Sequence, residues 1–361
     1  MSWRQFFGGI EGGGTHSNMV LLTGDGECVA ESEEGCTNHF LVGIEDCLKR
    51  IQAMVNECKQ KAGLDATLPI TSLGLSLSGG YEDPSCSKLL KGLKSEEFKN
   101  ISENYYLCND TKGSLATISD SGGIVLIAGT GSNCLLINPD GSSHGCGGWG
   151  HQLGDEGSAY WISQKAMKTL FDHDDGLVSS QLPVDFIRKA VYNHFAIKGN
   201  MDILEHMYTS FDKSKVAKLC KEIARGGLEE NDPLCCQIFK EAGHHLGRHV
   251  QAVVRNKKTD KSLLEGSGVN GCLQVVCVGS VWKSWKLLRN GFLTGIEADK
   301  PGDVSIPAIE LIKLTGSAAY GAAFLGAKSI LYDLPIKHFK YGDSFFMEKK
   351  GEPAVVTVTS H

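Results

Sequence analysis

Tyr105-Tyr-Leu-Cys-Asn-Asp-Thr-Lys-Gly-Ser114 and Ile124-Val-Leu-Ile-Ala-Gly-Thr-Gly-Ser-Asn133 are the two stretches whose reading decides the fold. Tyr105–Cys108 and Ile124–Ala128 are short apolar runs closed by polar or glycine-rich breakers, the pattern of two buried strands. Asp110 follows the first strand and Gly129-Thr-Gly-Ser-Asn133 the second. In open α/β sheets such strand ends face the ligand crevice. Gly129 and Gly131 let the backbone come close to an anion, and the hydroxyls of Thr130 and Ser132 add donors. The same run also reads as a tight hairpin turn between Ile124–Ala128 and a following strand at Cys134–Ile137. The neighbouring loops favour the phosphate reading.

A chain of 361 residues is longer than one hydrophobic core usually serves, so two domains are expected. With 41% hydrophobic and 22% charged residues it reads as globular. The formal net charge of −6 argues against nucleic acid or an anionic membrane as the main partner. The opening residues lack the basic and apolar regions of a signal peptide, and no apolar run approaches the ~18 residues of a membrane-spanning helix. A cytoplasmic location is expected. Of the 13 cysteines, several lie in apolar segments (Cys47, Cys58, Cys220, Cys277), which predicts free thiols rather than structural disulfides.

Outward from the central stretches, Phe6–Ile10 and Met19–Leu22 read as strands around Glu11-Gly-Gly-Gly-Thr15, the form of a phosphate-gripping hairpin. Glu11 reads either as a metal-side carboxylate acting through water or as a solvated turn residue. From Ile44 the apolar positions Cys47, Leu48, Ile51, Met54, Val55 and Cys58 keep the helical period, and Gly63 is a natural residue just past the helix end. Ser72–Gly80 reads as a buried strand ending in small residues, and Thr111–Ile118 as a helix crossing between domains. Gly141–Ser158 reads as a long glycine-rich loop, a shaped ligand wall in which Trp149 covers an apolar face. His144, Cys146 and His151 lack a paired ligand spacing and a fourth ligand, so no zinc site is assigned.

Residues 159–224 read as mainly helical. Asn231-Asp-Pro233 opens another helix through a cap and a proline at its first position, on which His244, His245 and His249 read as structural or solvated. Leu273–Ser284 repeats the strand-to-glycine-turn form. Leu314–Ala327 reads as a helix of small residues suited to close interdomain packing. Past Pro335 there is little pattern, beyond a candidate edge strand at Ala354–Thr359.

Three strand-to-glycine-turn elements in this order, an aspartate ending a strand between the first two, and a late small-residue helix together resemble the actin, hexokinase and Hsp70 ATPase superfamily. Within it, Glu11-Gly-Gly-Gly-Thr15, Cys36-Thr-Asn-His39, Gly129-Thr-Gly-Ser-Asn133, Gly145-Cys-Gly-Gly-Trp-Gly150, Gly154-Asp-Glu-Gly-Ser-Ala-Tyr-Trp161 and Cys277-Val-Gly-Ser-Val-Trp-Lys-Ser284 resemble the animal N-acetylglucosamine kinase family. The resemblance implies an α/β chain of two actin-like ATPase (ribonuclease H-like) domains flanking an interdomain cleft. The implied division is residues 1–119, rejoined by a helix from about 315–335, then 120–314 with a helical insertion, and a tail over 336–361.

The resemblance further implies ATP-dependent phosphorylation of N-acetyl-D-glucosamine at its 6-hydroxyl by a homodimer, with Mg²⁺ on the nucleotide phosphates. By motif position, Asp110 would be the general base. Asn38, Asp110, Ser132, Asn133, Cys146, Gly147, Gly148, Trp149 and Asp155 would line the sugar site. Gly13, Gly14, Thr15, Thr130, Ala217, Ser280 and Ser284 would meet ATP. Two departures stand out: Glu11 occupies a place where the superfamily usually has Asp, and the cysteine-rich zinc loop of the bacterial sugar-kinase relatives is missing. The competing expectations are a glucose or N-acetylmannosamine kinase, a non-catalytic nucleotide-gated sensor, and an activator of a partner enzyme. The sensor would call for a DNA-binding helix-turn-helix and the activator for a cluster-ligating cysteine pair; neither is evident.

Overall fold

The computed structural model describes residues 5–13, 16–78, 84–265, 271–297 and 301–349. Phe6–Gly12 (β1) is apolar on both faces and therefore sits inside a sheet. It pairs antiparallel with His16–Thr23 (β2), which pairs with Cys28–Gly35 (β3), and parallel with Ser72–Leu77 (β4), which pairs with Tyr105–Asn109 (β5). The strand order is β3-β2-β1-β4-β5. Its outer face carries His39–Val42 (α1), Ile44–Lys61 (α2) and Pro84–Leu93 (α3). The α2 stripe Cys47, Ile51, Met54, Val55 and Cys58 is buried against Ile10, Leu21 and Leu75. Gly63 follows with φ +67°, so the left-handed turn that ends the helix falls on glycine.

Asp110–Ile118 (α4) leads to the second sheet, built from Gly123–Ala128 (β6), Ser132–Ile137 (β7), Ser143–Gly147 (β8), Leu273–Val278 (β9), Ala308–Leu314 (β10) and Gly342–Lys349 (β11). Its order is β11-β10-β9-β6-β7-β8, with β6, β9 and β10 mutually parallel. Between β8 and β9 runs a helical insertion of Ala159–Asp174 (α5), Asp185–Phe195 (α6), Ile203–Met207 (α7), Lys213–Lys218 (α8), Cys220–Glu229 (α9) and Pro233–Val254 (α10). Trp285–Ile296 (α11) follows β9, and Ala319–Lys328 (α12) follows β10. Asp232 caps α10 by accepting from the Cys235 amide at 2.9 Å, and Pro233 begins the helix.

β6 and β7 form an antiparallel hairpin in which Ala128 faces Ser132. The hairpin and phosphate-loop readings of Gly129–Ser132 are therefore one object: the turn of the hairpin lies at the carboxyl end of parallel strand β6. Three elements differ from the sequence reading. Ser143–Gly147 is an edge strand rather than loop, held by its register with β7 although its own residues carry no alternation. Leu314 ends strand β10, so the small-residue helix starts at Ala319. Gly342–Lys349 pairs with β10 across a bulge at Leu311/Ile312, giving structure to a region without sequence pattern. Ala354–Thr359 lies outside the described residues. The cysteines are free thiols, and no helix among the described residues is long and apolar enough to cross a membrane.

α12 and α4 meet between the two sheets. Ala319, Ala323 and Ala327 of α12 pack on Phe7, Val20 and Leu22 of the first sheet. Leu115 and Ile118 of α4 pack on Val125, Val276 and Ile312 of the second. Each of those two α4 side chains contributes about 1.5–3 kcal/mol by burial. The helices approach backbone to backbone. A Cβ on Gly321 would stand 2.1 Å from the Gly113 carbonyl oxygen, and one on Gly74 would stand 1.8 Å from that of Ala322. The Gly321 amide also donates to Thr117 Oγ1 at 3.1 Å. No alanine fits at Gly321 without separating α12 from α4, or at Gly74 without lifting α12 off β4. Gly321→Ala is expected to cost about 1–3 kcal/mol or more, as overpacking does, and to lower the thermal midpoint. Gly199→Ala, where a Cβ meets nothing within 4 Å, is the matched control and should change little.

Candidate active site

The first wall stands at the carboxyl ends of β1, β4 and β5. Asn109 caps α4, its Oδ1 accepting from the Lys112 amide at 2.9 Å, and so places Asp110 on the first helical residue. The positive end of a helix favours a carboxylate there. The Ser78 amide donates to the Gly12 carbonyl at 2.8 Å, and Ser78 Oγ donates to Asp110 Oδ2 at 2.8 Å. Asp110 is thus fixed beside the glycine turn that follows β1.

The Asn38 segment joins the same end of the sheet. Its Oδ1 accepts from the Phe40 amide at 3.0 Å, while the neighbouring Thr37 lies so close to Gly12 that a Cβ there would stand 2.1 Å from Thr37 Oγ1. Gly13 donates its amide to the His16 carbonyl at 2.9 Å. Gly14 and Thr15 lie outside the described residues, as do Gly79 and Gly80. Glu11 does something its sequence context did not indicate. Its Oε2 accepts from Ser317 Oγ at 2.6 Å and from the Ala318 amide at 2.9 Å, tying β1 to the start of α12.

The second wall is the Gly129–Ser132 turn, gripped by the segment that starts α5. The Ala159 amide donates to the Gly129 carbonyl at 2.8 Å, and Ser132 Oγ to the Glu156 carbonyl at 2.8 Å. Asp155 is 3% exposed with φ +65°, a left-handed conformation uncommon outside glycine. Its Oδ1 accepts from the Ser132 amide at 3.0 Å and its Oδ2 from Lys213 Nζ at 2.8 Å. Gly131 is pressed onto this carboxylate, since a Cβ there would stand 2.7 Å from Oδ1.

Gly279, with φ +109°, brings the third glycine turn against the second: a Cβ on it would stand 2.4 Å from the Ala128 carbonyl oxygen. Beside this contact opens a cavity of about 1080 Å³ whose lining includes Thr130, Ala217, Lys218, Lys221, Ser280 and Ser284. Four residues assigned to ATP from the sequence, Thr130, Ala217, Ser280 and Ser284, therefore share one hollow. Its lysines suit an anionic ligand.

On the other side of the hairpin, Gly147 faces Asn133 in register, and Gly148, with φ +79°, approaches the Asn133 amide so closely that a Cβ would stand 3.1 Å from it. Cys146 faces Cys134. Burial raises the Cys146 thiol above its ordinary pKa and so disfavours the thiolate, an effect partly offset by the Arg255 guanidinium. Trp149 is 73% exposed, an indole presented to solvent rather than packed. The histidines of this region serve elsewhere: His144 Nε2 contacts the Val253 carbonyl at 3.1 Å, and His151 stacks on Phe211. Among the described residues no group of three or more His, Cys, Asp or Glu is placed to hold a metal.

Three contributors escaped the sequence reading. Ser78 lay within a segment marked only for its small residues. Ser317 lay within a stretch taken as continuous helix. Lys213 lay in a helical region without a recognisable signature. Asp155, grouped with the sugar wall, is tied to the Gly131–Ser132 turn and to Lys213.

The strand ends of the first sheet bear a fixed carboxylate, and those of the second a glycine turn beside a cavity lined by several lysines. The profile of the BadF/BadG/BcrA/BcrD ATPase family matches residues 9–326. The chain belongs to this family. An N-acetylmuramic acid/N-acetylglucosamine kinase of Clostridium acetobutylicum is 25% identical over 88% of this chain and 96% of its own length. An N-acetyl-D-glucosamine kinase of Dictyostelium discoideum is 26% identical over 90% of this chain and 99% of its own. Among solved structures, a candidate N-acetylglucosamine kinase from Chromobacterium violaceum superposes with a TM-score of 0.61 at 22% identity, covering 89% of this chain and 98% of that one. A ROK hexokinase from Thermus thermophilus does so with a TM-score of 0.52 at 12% identity, covering 90% and 99%. The fold is that of the two-domain actin-like sugar kinases.

Gly131→Ala should weaken nucleotide binding by about tenfold or more, roughly 1.4 kcal/mol, because the added methyl must displace the Asp155 carboxylate or the turn itself. Titration calorimetry with ADP measures it; unchanged affinity would separate this turn from the nucleotide site.

Proposed function

We propose that the protein transfers the γ-phosphoryl group of ATP to the 6-hydroxyl of N-acetyl-D-glucosamine, giving N-acetylglucosamine 6-phosphate and ADP. The observation that carries this reading is Asp110: a carboxylate at the carboxyl end of β5, held by Ser78 and by its place at the start of α4, in a chain whose second sheet carries a glycine turn beside a lysine-lined hollow. Kinases named for N-acetylglucosamine among the full-length relatives support the choice of sugar.

In this mechanism Asp110 accepts the proton of the 6-hydroxyl as the oxygen attacks phosphorus. Phosphoryl transfer passes through a loose transition state, so the protein chiefly positions the reactants and stabilises charge. The amides of Thr130 and Gly131 and the hydroxyl of Thr130 serve the phosphates, with Thr15 and Gly14 from the first turn. Ala217, Ser280 and Ser284 bound the nucleotide. Asn38, Asn133, Gly147 and Gly148 meet the sugar, and Trp149 covers its apolar side.

Mg²⁺ enters with ATP as part of the substrate, held mainly by phosphates and water. Glu11 Oε2 is committed to α12, so any role toward that ion falls to its other oxygen. The reading includes a homodimer, as the resemblance implies, and a cytoplasmic location. It divides the chain near residue 119, which the first sheet supports by drawing all its strands from residues 6–109. Residues 315–335 rejoin the first domain through α12, and β11 adds 342–349 to the second.

Asp110→Asn keeps an acceptor for Ser78 but loses the base. The kcat for N-acetylglucosamine should fall by a factor on the order of 10²–10⁴, with sugar and ADP affinities nearly unchanged. Undiminished turnover in a coupled ADP-release assay would remove Asp110 from the mechanism.

A further inference from the structure

We infer that Lys213 is a positioning residue for the nucleotide: through Asp155 it locks α8, one wall of the nucleotide cavity, to the Gly129–Ser132 turn. The inference rests on the functional reading above, in that it takes the cavity to hold ATP.

Asp155 is almost wholly buried, and its two carboxylate oxygens are divided between two elements. One receives the Ser132 amide and the other the Lys213 ammonium. The lysine is one-third exposed, its partner 4%. A carboxylate buried to this degree needs a compensating charge and directed hydrogen bonds, and removal of one partner leaves the other uncompensated.

Lys213 is the first residue of α8, and that helix has six residues, too few to hold its shape or place without tertiary anchors. Its other attachments are the burial of Val216 and Ala217, a cap in which Asp212 accepts from the Ser214 amide at 2.8 Å, a long contact from Ser163 Oγ to the Ala217 carbonyl at 3.5 Å, and Lys215, whose carbonyl meets His194 Nε2 at 2.8 Å and whose ammonium meets His206 Nδ1 at 3.2 Å. Only the Lys213–Asp155 pair among these ties α8 to the phosphate-type turn.

On the far side of α8 the consequence is direct. Ser214, Ala217 and Lys218 line the cavity together with Thr130 of the turn itself. This ion pair therefore links the part of the site that would meet phosphate to the part that would meet the rest of the nucleotide. The sugar wall at Gly147–Trp149 has no α8 residue in the contacts described, so the effect of Lys213 should fall on ATP rather than on sugar.

The test is a double-mutant cycle read by ADP titration calorimetry and by steady-state kinetics on the full-length protein. Lys213→Met should weaken ADP binding and raise KM for ATP by about tenfold, a coupling of roughly 1.4 kcal/mol, with KM for N-acetylglucosamine at saturating ATP changed less than twofold. Lys213→Arg, which keeps the charge, should recover most of the loss. Asp155→Asn should reproduce the ADP effect, and the double variant Lys213→Met/Asp155→Asn should bind ADP no worse than the weaker single variant, because the two side chains act as one unit. Additive losses, or a Lys213→Met variant with wild-type ADP affinity, would overturn the inference. The double variant leaves no lone buried charge and so guards against a single variant that fails to fold. If the wild-type protein binds ADP but releases none in a sugar-dependent way, the proposed reaction fails while the ADP cycle still decides the role of Lys213.

Discussion

Everything in this molecule depends on how closely α12 and α4 approach each other and the sheets beside them. Glycine and alanine at the contacts bring backbone against backbone: Gly9 and Gly74 beneath α12, and Gly113 against Gly321 where the helices cross. Such packing has little freedom to slide, because there are no flexible side chain ends to give way. Its stiffness is passed directly to the candidate site. Asp110 is the first residue of α4 and Ser317 stands just before α12, so the carboxylate that would take the proton and the serine that holds Glu11 both ride on the crossing helices.

The two walls are built on one plan. Parallel strands deliver glycine turns at their carboxyl ends, and side chains from sequence-distant segments then fix those turns. Ser78 fixes Asp110 from β4, Asp155 fixes Gly131 and Ser132 from the start of α5, and Glu11 fixes α12 from β1. Each device uses short hydrogen bonds to oxygens that are partly or wholly buried, where such bonds are strongest and most costly to lose. Preorganisation of this kind suits a reaction in which the protein supplies placement and charge rather than covalent chemistry.

Much of this was legible in the residues themselves. The strand-to-turn elements are visible because buried apolar runs end abruptly in glycine, and the crossing helix because a run of Gly and Ala serves close approach better than any exposed surface. β8 was illegible: Ser143–Gly147 has no period-two alternation and becomes a strand only because β7 offers it an edge. β11 likewise takes its form from β10. Lys213 could not be read at all, since its meaning comes from Asp155, 58 positions away in sequence. The role of Glu11 was open for the same reason, its partners Ser317 and Ala318 lying at the far end of the chain. Local signals reveal what a segment will become, whereas a polar side chain's task is set by whatever the fold brings to it.

The most direct measurement of the central claim is the position of the transferred phosphate. Incubation with Mg²⁺-ATP and N-acetylglucosamine, followed by phosphorus–proton correlation NMR of the product, should give a phosphate monoester coupled to the pair of protons on C6, formed together with ADP. Coupling to the anomeric proton, or release of inorganic phosphate alone, would contradict the account.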